Sequence, residues 1–281
     1  PRASGADGGD RLRGSTAHTE RTPFFQSNPH DGRAHGRYEY PCRGMNGASP
    51  MNPIYPILSS LLDPAARLNI IECGAHDGSD SYSLRRTFPH ASIFSFEPDP
   101  RNIAKIRERG IDRIVDLNAA AVGDRDGTAP FHLSSANMAK DCPAWIRSPE
   151  WSGSSSLKQP VEHLERHPWC EFNQTLDVPI LKLDTFQTTK GIANLDLIWA
   201  DVQGAEDLLI AGAQKALATT SYFYTEYGET QEYAGQLGLA QIMTRLPGIW
   251  EVVRQFPYDV LLRNVSKLGK ANATETRLMA A

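Results

Sequence analysis

Two glutamates 25 positions apart, Glu72 and Glu97, each close an apolar run, and Glu72 is followed at once by a turn built on Gly74 and Gly78. Both glycines let the chain bend sharply and approach a ligand without a Cβ in the way. Glu72 and Glu97 are then placed to accept hydrogen bonds from ribose hydroxyls or an amino group. A dinucleotide would need a G-x-G-x-x-G turn and a helix amino terminus free of negative charge. Here Glu72, Asp77 and Asp80 crowd the loop. Carboxylates would repel a pyrophosphate and suit a sulfonium and an ammonium group, which favours S-adenosylmethionine over NAD. His76 reads as a residue that frames the loop. Further along, Asp201 and Glu226 also end apolar runs, and Glu206 follows Asp201 closely. If an alcohol is the methyl acceptor, its proton must be taken by a group within hydrogen-bond reach. Asp201 is the first candidate, with Glu226 and His163 beside it and His167 in reserve. Glu206 has a plain alternative, since an acid in a helix's first turn is favoured by the macrodipole alone. Oxygen ligation of Mg²⁺ by Asp201, Glu206 and Glu226 is a less favoured reading, and no metal is expected.

The elements that must hold these groups alternate strand and helix. Strands are predicted at Leu68–Cys73, Ala91–Glu97, Arg113–Ala120, Leu195–Asp201, Tyr222–Tyr227, Trp250–Phe256 and Asp259–Arg263. Helices are predicted at Ser79–Phe88, Pro100–Arg109, Ala205–Ala218 and Gln231–Leu246, and a hairpin is expected across Gly123–Gly127 into Thr128–Leu133. The last two strands, joined at Pro257, suit an antiparallel return. In such a sheet ligands bind outside the carboxyl ends of the strands, where Glu72, Glu97, Asp201 and Glu226 stand. Residues 136–175 break the alternation and carry Trp145, Trp151 and Trp169 with His163 and His167. Long irregular segments in compact domains are usually functional. The tryptophans could wall an acceptor site; equally they could anchor the insertion, because aromatics dominate small satellite cores.

Six blocks in this order resemble the FkbM family of S-adenosylmethionine-dependent methyltransferases. They are Glu72-x-Gly74-Ala75-x-Asp77-Gly78, Phe96-Glu97-Pro98, Asn118 to Asp124, Ser154 to Leu157, Lys182 to Thr185, and Asp201-Val202-Gln203-Gly204-Ala205-Glu206. The resemblance implies an α/β, Rossmann-like class I methyltransferase: a seven-stranded, mostly parallel sheet with helices on both faces and a C-terminal antiparallel hairpin. With it, the expected cofactor contacts become Glu72, Gly74, Ala75, His76, Asp77, Gly78, Glu97, Pro98, Asn118, Ala119, Ala120 and Asp201. The family's usual last block is Lys-x-Asp-x-Glu-Gly-x-Glu. This chain has Trp199 in place of the lysine and Gln203 in place of the first glutamate.

The chain's 281 residues and 40% hydrophobic content suffice for one large domain. A net charge of −4 gives no support to a nucleic acid partner. No apolar run approaches the length of a membrane span, and no charged-then-apolar leader opens the chain. The cysteines, Cys42, Cys73, Cys142 and Cys170, have no C-x-x-C pair, which predicts a reduced, cytoplasmic protein. Residues 1–50, with seven arginines and no lysine, have no apolar periodicity and are expected to be a disordered leader or upstream sequence. The domain is expected over 51–266, with 136–175 as an acceptor lid and 267–281 as a flexible tail. Family members typically methylate hydroxyls of sugars in surface glycans or of polyketide-type natural products. The expected function is therefore O-methylation of a sugar, glycan or natural-product hydroxyl, with a small-molecule or glycan partner. The rivals are a methyltransferase-like binding protein without turnover, suggested by Trp199 and Gln203, and an NAD-dependent oxidoreductase, for which no Tyr-x-x-x-Lys pair is present.

Overall fold

The computed structural model describes residues 52–267. The expected leader, and the expected tail beyond Lys267, lie outside the described residues. Seven strands make the main sheet: β1 (Asn69–Cys73), β2 (Ser92–Phe96), β3 (Asp116–Asn118), β7 (Leu195–Ala200), β8 (Thr220–Glu226), β9 (Trp250–Gln255) and β10 (Asp259–Asn264). Their order is β3-β2-β1-β7-β8-β10-β9. The first five run parallel, and β10 returns antiparallel between β8 and β9. This is the seven-stranded class I methyltransferase sheet expected from the sequence. The chain leaves β1 toward β2 on one side and reaches β7 on the other, so a crevice opens beyond the carboxyl ends of β1 and β7.

Alternation along the strands feeds two cores. Ile71, Cys73, Ile198 and Ala200 point to the face covered by α5 (Leu183–Lys190), α6 (Glu206–Gly212), α7 (Gln214–Ala218) and α8 (Leu239–Arg245). Ile70, Leu197 and Trp199 point to the opposite face, under α1 (Ile54–Leu61), α2 (Ser79–Thr87) and α3 (Pro100–Glu108). Asp99 caps α3, its side chain accepting from Arg101 N, with Pro100 at the first helical position.

Three expected elements differ. The helix expected over Ala205–Ala218 breaks at Ala213, because Asp184 Oδ1 accepts from Lys215 N and Ala216 N and so caps a second helix, α7. Gly212, just before the break, packs its backbone against the carbonyl of Gly123, where no side chain would fit. Of the helix expected over Gln231–Leu246 only α8 forms. The earlier half instead bonds to the insertion: Val161 N donates to Glu232 O at 2.7 Å and Ala234 N to Gln159 O at 2.9 Å. The expected hairpin after the third strand is not one. β4 (Ala121–Val122) and β5 (Gly127–Ala136) do not pair with each other; both flank β6 (Cys170–Leu181) in a separate three-stranded sheet. Irregular chain is thereby confined to residues 137–169, with one turn of helix, α4 (His163–Arg166).

Candidate active site

The close approach of β1 to β7 builds the floor of the cleft. Gly74 has φ +89°, and a Cβ there would run into the carbonyl oxygen of Asp201. Gly74 N and Ala75 N both donate to Phe96 O at 2.9 Å, and Asp201 N donates to Cys73 O at 2.9 Å. Three strand ends are thus stitched together around one glycine. A cleft lies above them. Gly74, His76, Glu97, Pro98, Asn102 and Asp201 line it, with an apolar wall of Phe96, Ala120, Val122, Phe131 and Leu157.

Glu97 is the most constrained group in the cleft. Its Oε2 accepts from His76 N at 2.7 Å, and its Oε1 accepts from Asp99 N at 2.9 Å and from Asn102 Nδ2 at 3.3 Å. Burial nevertheless pushes its pKa up to about 8. His76 adopts φ +51° to bring its amide to Glu97, while its Nε2 lies 3.2 Å from Ser152 Oγ. It lines the cleft.

At the other end, Gln203 ties the acidic mouth together. Its Nε2 donates to Asp201 Oδ1 at 2.7 Å and to Glu226 Oε2 at 3.0 Å, so one amide joins the carboxylates that end β7 and β8. Ser156 Oγ donates to Gln203 O at 2.7 Å, and Tyr233 OH donates to Gln203 Oε1 at 3.4 Å. Gln203 holds φ +51°, the left-handed region that needs such support.

Several expected contacts stand elsewhere. Glu72 is fully buried beneath the loop, where its Oε2 accepts from Ser81 Oγ at 2.5 Å and Ser95 Oγ at 2.6 Å; it pins α2 to β1 and β2 and does not line the cleft. Asp77 turns outward to Arg109 at 2.8 Å and accepts from Ser79 N, and Asp80 accepts from Tyr55 OH at 2.7 Å. The acids that crowd the loop in sequence are therefore engaged away from the ligand side, and the acidic side chains that line the cleft are Glu97 and Asp201. Ala75 and Gly78 shape the turn, Gly78 as the left-handed N-cap of α2. Asn118 O accepts from Glu97 N and Ala120 N; Ala119 is exposed, and of the three only Ala120 reaches the cleft. Glu226 reaches it through Gln203. His163 and His167 are buried against Phe172, Tyr233 and Trp169, outside the lining, which does not suit a general base. Trp145, Trp151 and Trp169 pack edge to face with centroids 5.3–6.0 Å apart, so they anchor the insertion. What the insertion lends the cleft is Ser152, Gly153, Ser155 and Leu157. Ser152 Oγ donates to Asn102 Oδ1 at 2.6 Å. Neither Asn102 nor Ser152 was singled out from sequence; the only signal is the Ser/Gly-rich run that begins at Ser152.

Residues 72–259 match the methyltransferase FkbM domain. The chain belongs to the FkbM methyltransferase family. It is accordingly an S-adenosylmethionine-dependent methyltransferase. A curated relative, 2-O-methyltransferase NoeI of Sinorhizobium fredii (strain NBRC 101917 / NGR234), is 40% identical over 201 residues, covering 69% of this chain and 79% of the relative. Among solved structures, precorrin-6y C5,15-methyltransferase from Geobacter metallireducens GS-15 aligns over 75% of this chain and 88% of its own, at 11% identity and a TM-score of 0.37. EvdMO1 aligns over 79% of this chain and 43% of its own, at 15% identity and a TM-score of 0.40. The family's usual lysine position holds Trp199, which stacks on Tyr55 at 5.6 Å and lies 4.4 Å from Tyr224. Among the described residues no helix is long and apolar enough to cross a membrane.

Three buried carboxyls have a consequence for pH. Burial raises Glu72 from 4.5 to about 7, and Glu97 and Glu206 to about 8. Between those limits the folded protein binds more protons than the unfolded chain, so these groups make stability fall as pH rises. The ligand-free protein is expected to melt several degrees higher at pH 5.5 than at pH 8. Calorimetry at the two pH values checks this; a higher Tm at pH 8 would mean that the three carboxyls ionise freely in the fold.

Proposed function

We propose that the cleft binds S-adenosylmethionine with its ribose at Glu97 and passes the methyl group to a hydroxyl oxygen of a sugar or glycan, in the cytoplasm. The observation that carries this reading is a cleft lined at one end by the fixed carboxyl group of Glu97 and at the other by Asp201. The cofactor fits the lining. Both Glu97 oxygens are aimed by backbone N–H groups, and one retains acceptor capacity for a ribose hydroxyl. The apolar wall suits an adenine ring, and Asp201 stands at the acceptor end. When bound, S-adenosylmethionine supplies an electrophilic methyl carbon, and catalysis rests on alignment and exclusion of water. Asp201 takes the acceptor's proton, Gln203 and Glu226 hold Asp201 in place, and residues 137–169 cover the acceptor as a lid. The 2-O-methyltransferase relative supports oxygen as the target, and the free thiols of Cys73, Cys142 and Cys170 suit a reducing compartment.

Mass spectrometry of the purified protein tests the cofactor: co-purified S-adenosylhomocysteine supports the reading, and NAD would end it. Transfer of labelled methyl to an oligosaccharide, lost after periodate-insensitive ether formation is blocked by prior acetylation of its hydroxyls, tests the acceptor; label arriving on nitrogen would overturn it. Glu97→Ala removes the acceptor of a ribose hydroxyl, a charge-assisted contact contributing about 1.5–3 kcal/mol once the carboxyl is ionised, and is expected to weaken S-adenosylhomocysteine binding about tenfold or more. Titration calorimetry on the folded variant measures this, and unchanged affinity would place the ribose elsewhere.

A further inference from the structure

Away from the cleft, two histidines four positions apart, His163 opening α4 and His167 directly after it, meet a glutamate from the segment before α8. His163, His167 and Glu232 are each more than nine-tenths buried. One ligand-capable atom from each lies within 4.8 Å of the other two. His167 Nε2 is 3.7 Å from Glu232 Oε2, and the imidazole centroids are 4.7 Å apart. The wall is aromatic: Phe172 and Tyr233 lie against His163, and Trp169 against His167. The charged groups facing the cluster are Arg166, whose Nε is 3.8 Å from Glu232 Oε1, and Glu162, itself 3.8 Å from Arg166. The backbone is fixed as well, Val161 N and His163 N both donating to Glu232 O.

We propose that His163, His167 and Glu232 form a binding site for one divalent transition-metal ion, Zn²⁺ by its chemistry, which fastens the insertion to the segment carrying Glu232. Two imidazoles and one carboxylate are a zinc donor set, whereas Mg²⁺ and Ca²⁺ ask for oxygen ligands throughout. Spacing of i and i+4 puts both rings on one side of a helical turn. A tetrahedral centre with bonds of 2.0–2.1 Å sets its ligand atoms roughly 3.3 Å apart, so modest rotations of three side chains close the site. Arg166 on the other oxygen of Glu232 is the outer partner that orients a ligating carboxylate. Water takes the fourth position. The ion has no part in methyl transfer; its effect on the cleft is mechanical. Tyr233 follows Glu232, and its hydroxyl donates to Ser154 O at 2.8 Å and Gln203 Oε1 at 3.4 Å, so an anchored Glu232 steadies the wall of the acidic mouth.

The test uses the full chain and Zn²⁺ alone, and so is independent of how the cleft is read. The protein is stripped with EDTA, offered excess ZnCl₂, passed through gel filtration and analysed by plasma mass spectrometry. About one equivalent should remain bound, with Tm raised by several degrees. His167→Gln and Glu232→Gln should each abolish retention while leaving the circular dichroism of the fold. Should either variant fail to fold, zinc-edge X-ray absorption of the parent decides, with scattering from two imidazoles expected. Retention far below one equivalent, retention that survives in a folded His167→Gln variant, or zinc without imidazole scattering would each overturn the proposal and leave a metal-free imidazole–carboxylate pair.

Discussion

Conversion of Asp201 to asparagine is expected to leave the fold and the affinity for S-adenosylhomocysteine nearly unchanged and to lower turnover by about 10² or more. Asparagine keeps the shape of the side chain, and its Oδ1 can still accept from Gln203 Nε2 as Asp201 Oδ1 does. What it removes is the only property that a proton acceptor needs. A role confined to shaping the turn after β7 predicts another outcome, since asparagine serves there as well as aspartate and would change stability by less than ~1 kcal/mol. Turnover and affinity must therefore be measured together on the same folded variant. Turnover within about threefold of the parent would remove Asp201 from the proton's path. Attention would then move to Glu226, the second carboxylate on the Gln203 amide. A loss in affinity matching the loss in turnover would instead make Asp201 a cofactor ligand.

Much of this arrangement was legible from the chain. Alternation and breakers located all seven strands of the main sheet, because most of them hold a short apolar run near a glycine, a proline or a charged residue. The carboxylates ending β2, β7 and β8 followed directly. What was not legible was which way each side chain points and what competes for it. Glu72 sits one residue out of phase with Ile71 and Cys73, so it faces Ser81 and Ser95 under α2 and misses the cleft. Asp77 is drawn outward by Arg109, 32 residues away. The helix expected from Gln231 lost its first half to backbone bonds with the insertion, a long-range contact that periodicity cannot register. β6 was hidden because half of its residues are exposed, five of them in a row, and its apolar alternation is weak. The cleft residues Asn102 and Ser152 meet across 50 positions through one hydrogen bond, and only the Ser/Gly-rich run at Ser152 hints at either.

The two departures from the family's last block make sense together, and this leads to the second large effect. A lysine at the position of Trp199 and a glutamate at that of Gln203 would add one positive and one negative charge. This chain has neither, so the balance is kept with an aromatic stack on one side and a neutral amide on the other. Restoring only the acid should therefore fail. In Gln203→Glu, two hydrogen bonds donated to carboxylates, at 2.7 and 3.0 Å, become two repulsions between like charges. Each charge-assisted bond contributes about 1.5–3 kcal/mol, and three converging carboxylates cannot all stay ionised. Turnover at neutral pH is expected to fall about 10²-fold, with affinity for S-adenosylhomocysteine changed far less, because Glu97 and the ribose end of the cleft are untouched. A divalent cation offers the one simple relief, since three carboxylates in reach of each other make an oxygen site. Millimolar Mg²⁺ should thus restore part of the variant's turnover while leaving the parent, with its amide already between Asp201 and Glu226, unaffected. Steady-state rates with and without Mg²⁺ decide the matter. A Gln203→Glu variant as active as the parent in EDTA would show that the amide is a spectator and that Asp201 keeps its alignment without it.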